Sequence, residues 1–445
     1  MPDVSSPRPR RRFLSRLPLG LAAALLLALP SGAAPAADGL DARIGEGLFR
    51  RMWVAAPTAT QAADGLGPLY NARSCATCHP RGGGGRPPDP AAEGNDQGDQ
   101  GVGFAIKLND DPVYGRQIQS NALLGQIIEG RPGVAYREEP VRFDDGEIVR
   151  LRRPAYAVKD LGYGPLAEAT ALSARVAPRV HGMGLLDRIP EAAIQAEADR
   201  QAREGVVAGR PNRITMTSLG ETAPRIGRFG WKATHPTLNH QDSEAFSLDI
   251  GMSTPAFPDP WGDCTPAQTA CREARHGDSK QFEGLEIPST VIGLIDVYLR
   301  SLPPDGGLKA SRDKAGGALF AATGCAACHR PSYPVTDGEP GKDAGPTVGT
   351  IFPHSDLLLH DMGDGLADDV PMGEARGRDW RTTPLWGLNR LAKDDGRLSL
   401  LHDGRARSVT EAILWHGGEA EKALSNFMDL PAGSRKALVR YVLGL

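Results

Sequence analysis

Residues 74–79 read SCATCH, and residues 324–329 read GCAACH. Each stretch sets two thiols three residues apart and follows the second at once with a histidine. Thiols at that spacing can add to the two vinyl groups on one edge of a porphyrin. The next residue then lies under the iron. C-x-x-C-H is the attachment signal of c-type haem. A structural zinc site needs four ligands, usually from two such half-sites. A redox dithiol has no use for the adjoining histidine, and neither motif sits in a βαβ pattern. Two copies arising by chance in one chain is a negligible outcome. The motifs therefore imply two covalently bound haem c groups, on Cys75 and Cys78 and on Cys325 and Cys328. His79 and His329 are the expected proximal iron ligands.

A haem iron has a second axial position, and its occupant decides function. Two strong ligands make an electron carrier, while an open position can bind a small oxidant. Candidates for the second haem are His354, His360, Met362, Met372, His402 and His416. For the first haem the next histidine after His79 is His181, about a hundred residues on. Met183, Met216 and Met252 are weaker candidates. An open or weakly filled position is expected at the first haem, which is where substrate chemistry would lie.

Elements must position these groups. "RDKAGGALFAATGCAACH" reads as a short helix ending at Gly324, and "DARIGEGLFRRMW" as a similar helix before the first motif. "VIGLIDVYLRSL" and "RKALVRYVLGL" have apolar residues at helical spacing, and aligning Tyr298 with Tyr441 places Leu302 on Leu445. Each half thus runs helix, C-x-x-C-H, variable middle, closing helix. The expected fold is mainly α, with two cytochrome c-like haem domains, at residues 38–302 and 303–445. "PPDGG" at 303–307 marks the boundary. The first domain is enlarged by an insertion. In it "FDDGE" reads as the turn of a small β-hairpin, and "IPEAAIQAEADRQAREG" as a helix between Pro190 and Gly205.

The N-terminus has a basic head (Arg8, Arg10, Arg11, Arg12 and Arg16), a short apolar run and small residues around Ala34-Pro35-Ala36. This is the pattern of a cleaved secretory signal peptide over residues 1–37, and it implies a periplasmic protein. No later run is long and apolar enough to cross a bilayer. The full chain carries a net −3, and loss of five Arg and one Asp with the signal would leave −7. Such an acidic exported chain is a poor nucleic-acid binder. In an oxidising compartment the two remaining cysteines, Cys264 and Cys271 in "DCTPAQTAC", are expected to form a disulfide.

"HGMGLLDRIPE", "RFGWKA", "SDLLLHDMGDGLAD", "RTTPLWGLN" and "LHDGRARSVTEAILWHGGEA" together resemble the bacterial di-haem peroxidase and MauG superfamily. More narrowly they resemble its di-haem oxidoreductase family, sometimes labelled thiol oxidoreductase. In that superfamily the second haem's distal ligand lies fourteen residues after the histidine of "HDG", which here is His416. The resemblance implies a His329/His416 pair, with His402 hydrogen-bonding near the haem edge and Arg405 pairing with a propionate. It implies Trp231 between the haems and Gln241 as the polar contact to the leaving oxygen. The superfamily's acid, twenty residues after the tryptophan, falls on Gly251; Glu244 and Asp249 are the nearest carboxylates. The implied activity is reduction of H2O2 by an exported di-haem c-type oxidoreductase, with a small redox protein as electron donor. The alternatives are MauG-like oxidation of a partner protein, which loss of Met at 416 favours slightly, and a non-catalytic di-haem electron carrier. An interdomain Ca2+ is common in the resembling peroxidases. Here "HDMGDGLADD" offers oxygen ligands without EF-hand spacing.

Overall fold

The computed structural model describes residues 39–89, 99–337, 347–390 and 397–445. The expected signal peptide at 1–37 lies outside them. The helices that bear on the site are α1 (Gly39–Arg50), α2 (Cys75–Cys78), α3 (Glu191–Glu204), α4 (Leu238–Ala245), α5 (Ser289–Ser301), α6 (Lys314–Thr323), α7 (Val409–Leu414) and α8 (Ala432–Leu443).

Two helix crossings hold the C-x-x-C-H motifs. α1 buries Gly45, Leu48 and Phe49 on one face, and α5 buries Ile292, Ile295, Tyr298 and Leu299. These are helical spacings, so each helix offers one apolar stripe. Gly45 lets the backbones meet: a Cβ there would lie 2.0 Å from the Leu294 carbonyl oxygen. One turn on, the Phe49 ring packs on Tyr298 with centroids 5.3 Å apart. The second crossing repeats this. A Cβ on Gly316 of α6 would lie 2.5 Å from Tyr441 Cβ of α8, and Phe320 packs on Tyr441 at 5.4 Å. Asp313 caps α6 by accepting from Gly316 N at 2.8 Å. Gly324, at φ +97°, ends α6 in a left-handed conformation and delivers the chain straight into the second motif.

The mainly α expectation is overturned. The described residues are 32% helical and 19% strand. Six small sheets occur among the described residues. β1 (Phe104–Asp111) pairs with β2 (Gly115–Gln117). A long hairpin of β3 (Arg131–Arg142) and β4 (Ile148–Lys159) follows. β5 (Leu172–Val176) then returns to the other edge of β1, giving the order β2-β1-β5. β6 (Leu359–Asp361) pairs with β7 (Asp379–Arg381). The cause lies in the long first half. Phe104, Ile106 and Leu108 are buried in strict alternation, which is strand patterning. The hairpin at "FDDGE" and the helix between Pro190 and Gly205 form where expected, and Cys264 is bonded to Cys271.

The hairpin is longer than its turn signal suggested, with twelve paired positions from Arg131↔Lys159 to Arg142↔Ile148. Its far end packs on residues of the second half. Phe143 meets Phe427 at 6.1 Å and lies in the same core as Phe320, Trp380 and Leu438. Arg435 of α8 reaches Asp145 at 2.5 Å and Glu147 at 2.7 Å in its turn. Arg152 donates to the Arg405 carbonyl at 3.0 Å, and the Tyr156 hydroxyl donates to Asp403.

The Gly45 crossing makes a paired prediction. Gly45→Ala forces α1 off α5 and costs roughly 1–3 kcal/mol. Gly47, two residues on, has nothing within 4 Å of its Cβ position. Gly47→Ala is therefore neutral or stabilising by up to about 1 kcal/mol. Denaturant unfolding of both variants checks this, and equal midpoints would contradict it.

Candidate haem-binding site

Both C-x-x-C-H motifs face one cavity of about 1270 Å³. A pocket for one small molecule spans roughly 300–1,000 Å³. Cys75 and Cys78 share one face of the single turn of α2, which Ser74 caps by accepting from Thr77 N at 3.2 Å. His79 N bonds to the Cys75 carbonyl at 2.9 Å, and His329 N repeats this on Cys325 at 2.9 Å. The four cysteines are not paired with one another. Burial pushes Cys78 up to about 12 and Cys325 up to about 11, and raises Cys75 and Cys328 as well. Thiols so far from ionisation are poor redox nucleophiles. A dithiol role is therefore disfavoured on chemistry as well as on sequence.

The histidines divide by what their nitrogens already do. His329 Nδ1 donates to the His354 carbonyl at 2.9 Å, and His416 Nδ1 donates to the Ala412 carbonyl at 2.7 Å. A carbonyl can only accept, so the proton sits on Nδ1 and the Nε2 lone pair is left for a metal. Both rings line the cavity. Burial pulls His329 down to about 4 and lowers His416, so both are neutral at pH 7. His416 adds to the lowering of His329, so the two rings feel each other. His79 is also lowered by burial, and its buried Nδ1 has no hydrogen-bond partner among the described residues. Phe49 and Phe320 stand at the same 6.3 Å from His79 and His329.

Three of the other candidates for the second haem, His354, His360 and Met372, are already partnered. His354 places Nδ1 3.2 Å from the Phe352 carbonyl and Nε2 3.2 Å from the Tyr441 hydroxyl. His360 is held between Asp356 at 2.8 Å and Glu419 at 2.9 Å. Burial opposes charge on His360, but these carboxylates outweigh it and keep the ring protonated. Arg175 donates to the Met372 Sδ at 3.0 Å. His402 stacks flat on Trp380, with centroids 3.6 Å apart and planes 7° apart. Met362 lines the cavity.

On the side of the first motif, α4 turns Leu238, Gln241, Asp242 and Ala245 to the cavity, and a π-turn at Phe246–Ile250 adds Asp249. π-turns of this kind recur at functional sites. The Gln241 side-chain amide has no hydrogen-bond partner among the described residues. Glu244 lies 3.0 Å from His235 Nε2 and 3.3 Å from Arg116. Burial would raise its carboxyl, but His235, Lys107 and Arg116 outweigh burial and hold it ionised. Asp242 is the opposite case: burial and Asp296 push it up, and its buried Oδ2 has no partner. Trp231 lines the cavity and donates from Nε1 to the Val176 carbonyl at 2.7 Å.

Arg405 is committed elsewhere. It bonds to Asp403 at 2.6 Å and to the Gly365 carbonyl at 2.7 Å, outside the cavity lining. Arg179 and Arg381, which sequence reasoning missed, do line the cavity. Their hydrogen bonds go to carbonyls: Arg179 to Gly387 at 2.8 Å, Arg381 to Gly230 at 2.9 Å and Thr382 at 3.1 Å. Burial without a bonded carboxylate pulls both down to about 10. They are better placed than Arg405 to receive propionates. The acidic run at 360–369 is largely spent on cations. Asp361 and Asp364 meet Arg378, at 3.1 and 3.3 Å, and Asp368 meets Lys232 at 2.8 Å.

A family model described as "Di-haem oxidoreductase, putative peroxidase" matches residues 133–445. The chain belongs to this di-haem oxidoreductase family. The match starts within β3, so it contains the second C-x-x-C-H, and the first lies upstream of it. No curated protein matches. Among solved structures, a chain of Kuenenia stuttgartiensis hydrazine synthase pressurized with xenon is 18% identical, with a TM-score of 0.22. The match covers 37% of this chain and 58% of that one, and at that score it carries no structural argument.

Haem is the cofactor of a di-haem oxidoreductase, and the cavity fits it. The wall supplies two thiol pairs, two neutral imidazoles with a free Nε2, an orphaned buried nitrogen on His79, and two buried arginines for carboxylates.

The His360 pair with Glu419 predicts a pH dependence. Burial raises the Glu419 carboxyl, but bonding to His360 outweighs it and brings it down to about 2 from an ordinary 4.5. A depressed carboxylate stabilises the fold above its unfolded value and loses that contribution as pH falls through the folded one. Glu419→Gln is therefore less stable than the parent at pH 7, and the gap closes between pH 4.5 and about 2. Urea unfolding across this range checks it, and a constant gap would contradict it.

Proposed function

We propose that this di-haem oxidoreductase is an exported, periplasmic enzyme that carries both haems as c-type groups and reduces H2O2 at the N-terminal one. Cys75 and Cys78 would hold that haem, with His79 as a ligand to its iron. Cys325 and Cys328 would hold the other, with His329 and His416 as candidate ligands to its iron. A small cytochrome or cupredoxin supplies electrons. When bound, the haems supply redox-active iron, one to receive the oxidant and one to pass electrons.

The observation that carries this reading is an asymmetry in available ligands. On the His329 side, His416 offers a free Nε2 across the same cavity. On the His79 side, His181 and His235 are already partnered. His181 has Nδ1 3.1 Å from the Pro303 carbonyl and Nε2 2.9 Å from the Arg81 carbonyl. His235 is held by Thr234 and Glu244. Met252 is buried in the core, and Met216 lines a separate cavity. Met183 alone of the earlier candidates lines the cavity. An open iron coordination position beside a filled one is the arrangement a peroxide reductase needs.

The chain's own groups suit the rest of the reaction. H2O2 takes up two protons and two electrons, its O–O bond breaks, and two waters leave. Gln241 presents a free amide to the leaving oxygen. Glu244, kept as a carboxylate, can hold a proton taken from H2O2 and give it back to the leaving oxygen. Trp231 lines the cavity that both motifs face, and an aromatic ring there can pass an electron between the haems.

Glu244→Gln removes the base and keeps the shape. Steady-state H2O2 reduction with a reduced cytochrome donor is expected to fall about 10²–10⁴-fold. Haem content and the resting spectrum stay as in the parent. Turnover within threefold of the parent would sink the assignment of Glu244.

A further inference from the structure

A second cavity, of about 440 Å³, lies beside the first. The two share Lys107, Thr234, His235, Glu244 and Met372. The smaller one reaches the surface, because its lining includes the exposed residues Asp110, Thr215, Thr217 and Ser218. Its inner end is polar. Glu244 Oε2 lies 3.0 Å from His235 Nε2, and His235 Nδ1 lies 3.0 Å from Thr234 Oγ1. Both residues of the pair are buried, His235 at 4% and Glu244 at 9% exposure. His240 stands 5.0 Å from His235, ring to ring, and stacks on Phe257 at 5.4 Å.

We propose that His235 and Glu244 form a proton relay that joins the smaller, solvent-facing cavity to the haem cavity. This rests on the reading of the N-terminal haem as the peroxide site. Reduction of H2O2 to two waters consumes two protons, and a buried site must draw them from solvent. An imidazole can take a proton on one nitrogen and give one from the other. Here Nδ1 faces Thr234 on the shared wall, and Nε2 faces the carboxylate that looks into the haem cavity. The groups around the pair tune it without blocking it. Arg116 on β2 holds the other oxygen of Glu244 and is itself bound to Asp263 at 3.1 Å. Lys107 on β1 faces Glu244, and Asp110 sits at the rim. Burial keeps His240 neutral, down to about 4, so it adds no competing charge at pH 7.

Cyanide binding to the ferric protein carrying both haems tests this without turnover. Hydrogen cyanide must lose its proton to bind iron as an anion, whereas azide is already an anion at pH 7. His235→Gln keeps a hydrogen-bond donor toward Glu244 and cannot relay a proton. Its cyanide on-rate should fall about 10²-fold and lose its pH dependence, while its azide on-rate stays at the parent value. Ser218→Trp, at the exposed rim, should slow both ligands severalfold. Parent-like cyanide kinetics in His235→Gln, with both ligands binding the parent, would overturn the relay alone. If the parent takes up neither ligand, the open-iron reading fails and the relay fails with it.

Discussion

A glycine set against a tyrosine-bearing helix, with a phenylalanine one turn later, recurs in both halves of this chain. Gly45 and Phe49 meet Tyr298; Gly316 and Phe320 meet Tyr441. The crossing is close because no Cβ intervenes, and the aromatic pair fixes where along the helices it occurs. Each phenylalanine then stands 6.3 Å from the histidine of its C-x-x-C-H motif. The two motifs are therefore aimed by the same device. Their convergence on one cavity follows from two copies of one contact, tied together by the long hairpin and the α4 segment.

Within that cavity, burial does most of the electrostatic work. It keeps His79, His329 and His416 neutral, and for His329 and His416 backbone carbonyls then choose which nitrogen carries the proton. A neutral ring with a free Nε2 can ligate iron, while a doubly partnered ring such as His360 cannot. Burial also leaves Arg179 and Arg381 charged without a bonded carboxylate, a cost of several kcal/mol that an incoming propionate would offset. Glu244 and Asp242, two residues apart on α4, end in opposite protonation states because His235, Lys107 and Arg116 outweigh burial at Glu244, whereas Arg300 does not outweigh burial and Asp296 at Asp242. Environments that separate like groups in this way mark acid–base sites.

Much of this was legible beforehand, and the parts that were not have physical reasons. The C-x-x-C-H spacing, the Gly324 stop and the Tyr298/Tyr441 match are local signals, and local signals survive in sequence. The strand content was missed because alternation at Phe104, Ile106 and Leu108 is short and sits among glycine-rich connections. Arg405 is a candidate propionate partner by sequence, yet its neighbour Asp403 captures it. Arg179 and Arg381 carry no local signal: what sets them apart is that folding leaves them facing carbonyls alone. The partnership of His235 with Glu244 spans nine residues and closes only when α4 forms, so no spacing rule announces it.

The measurement that tests the account most directly is the EPR spectrum of the ferric mature protein, with haem counted from the alkaline pyridine spectrum. The account predicts two haems per chain, one high-spin signal and one low-spin signal. Replacing His416 with alanine should abolish the low-spin signal and leave the original high-spin signal in place. Two low-spin signals in the parent protein would mean that the N-terminal iron has a second strong ligand, and they would contradict an open peroxide site there.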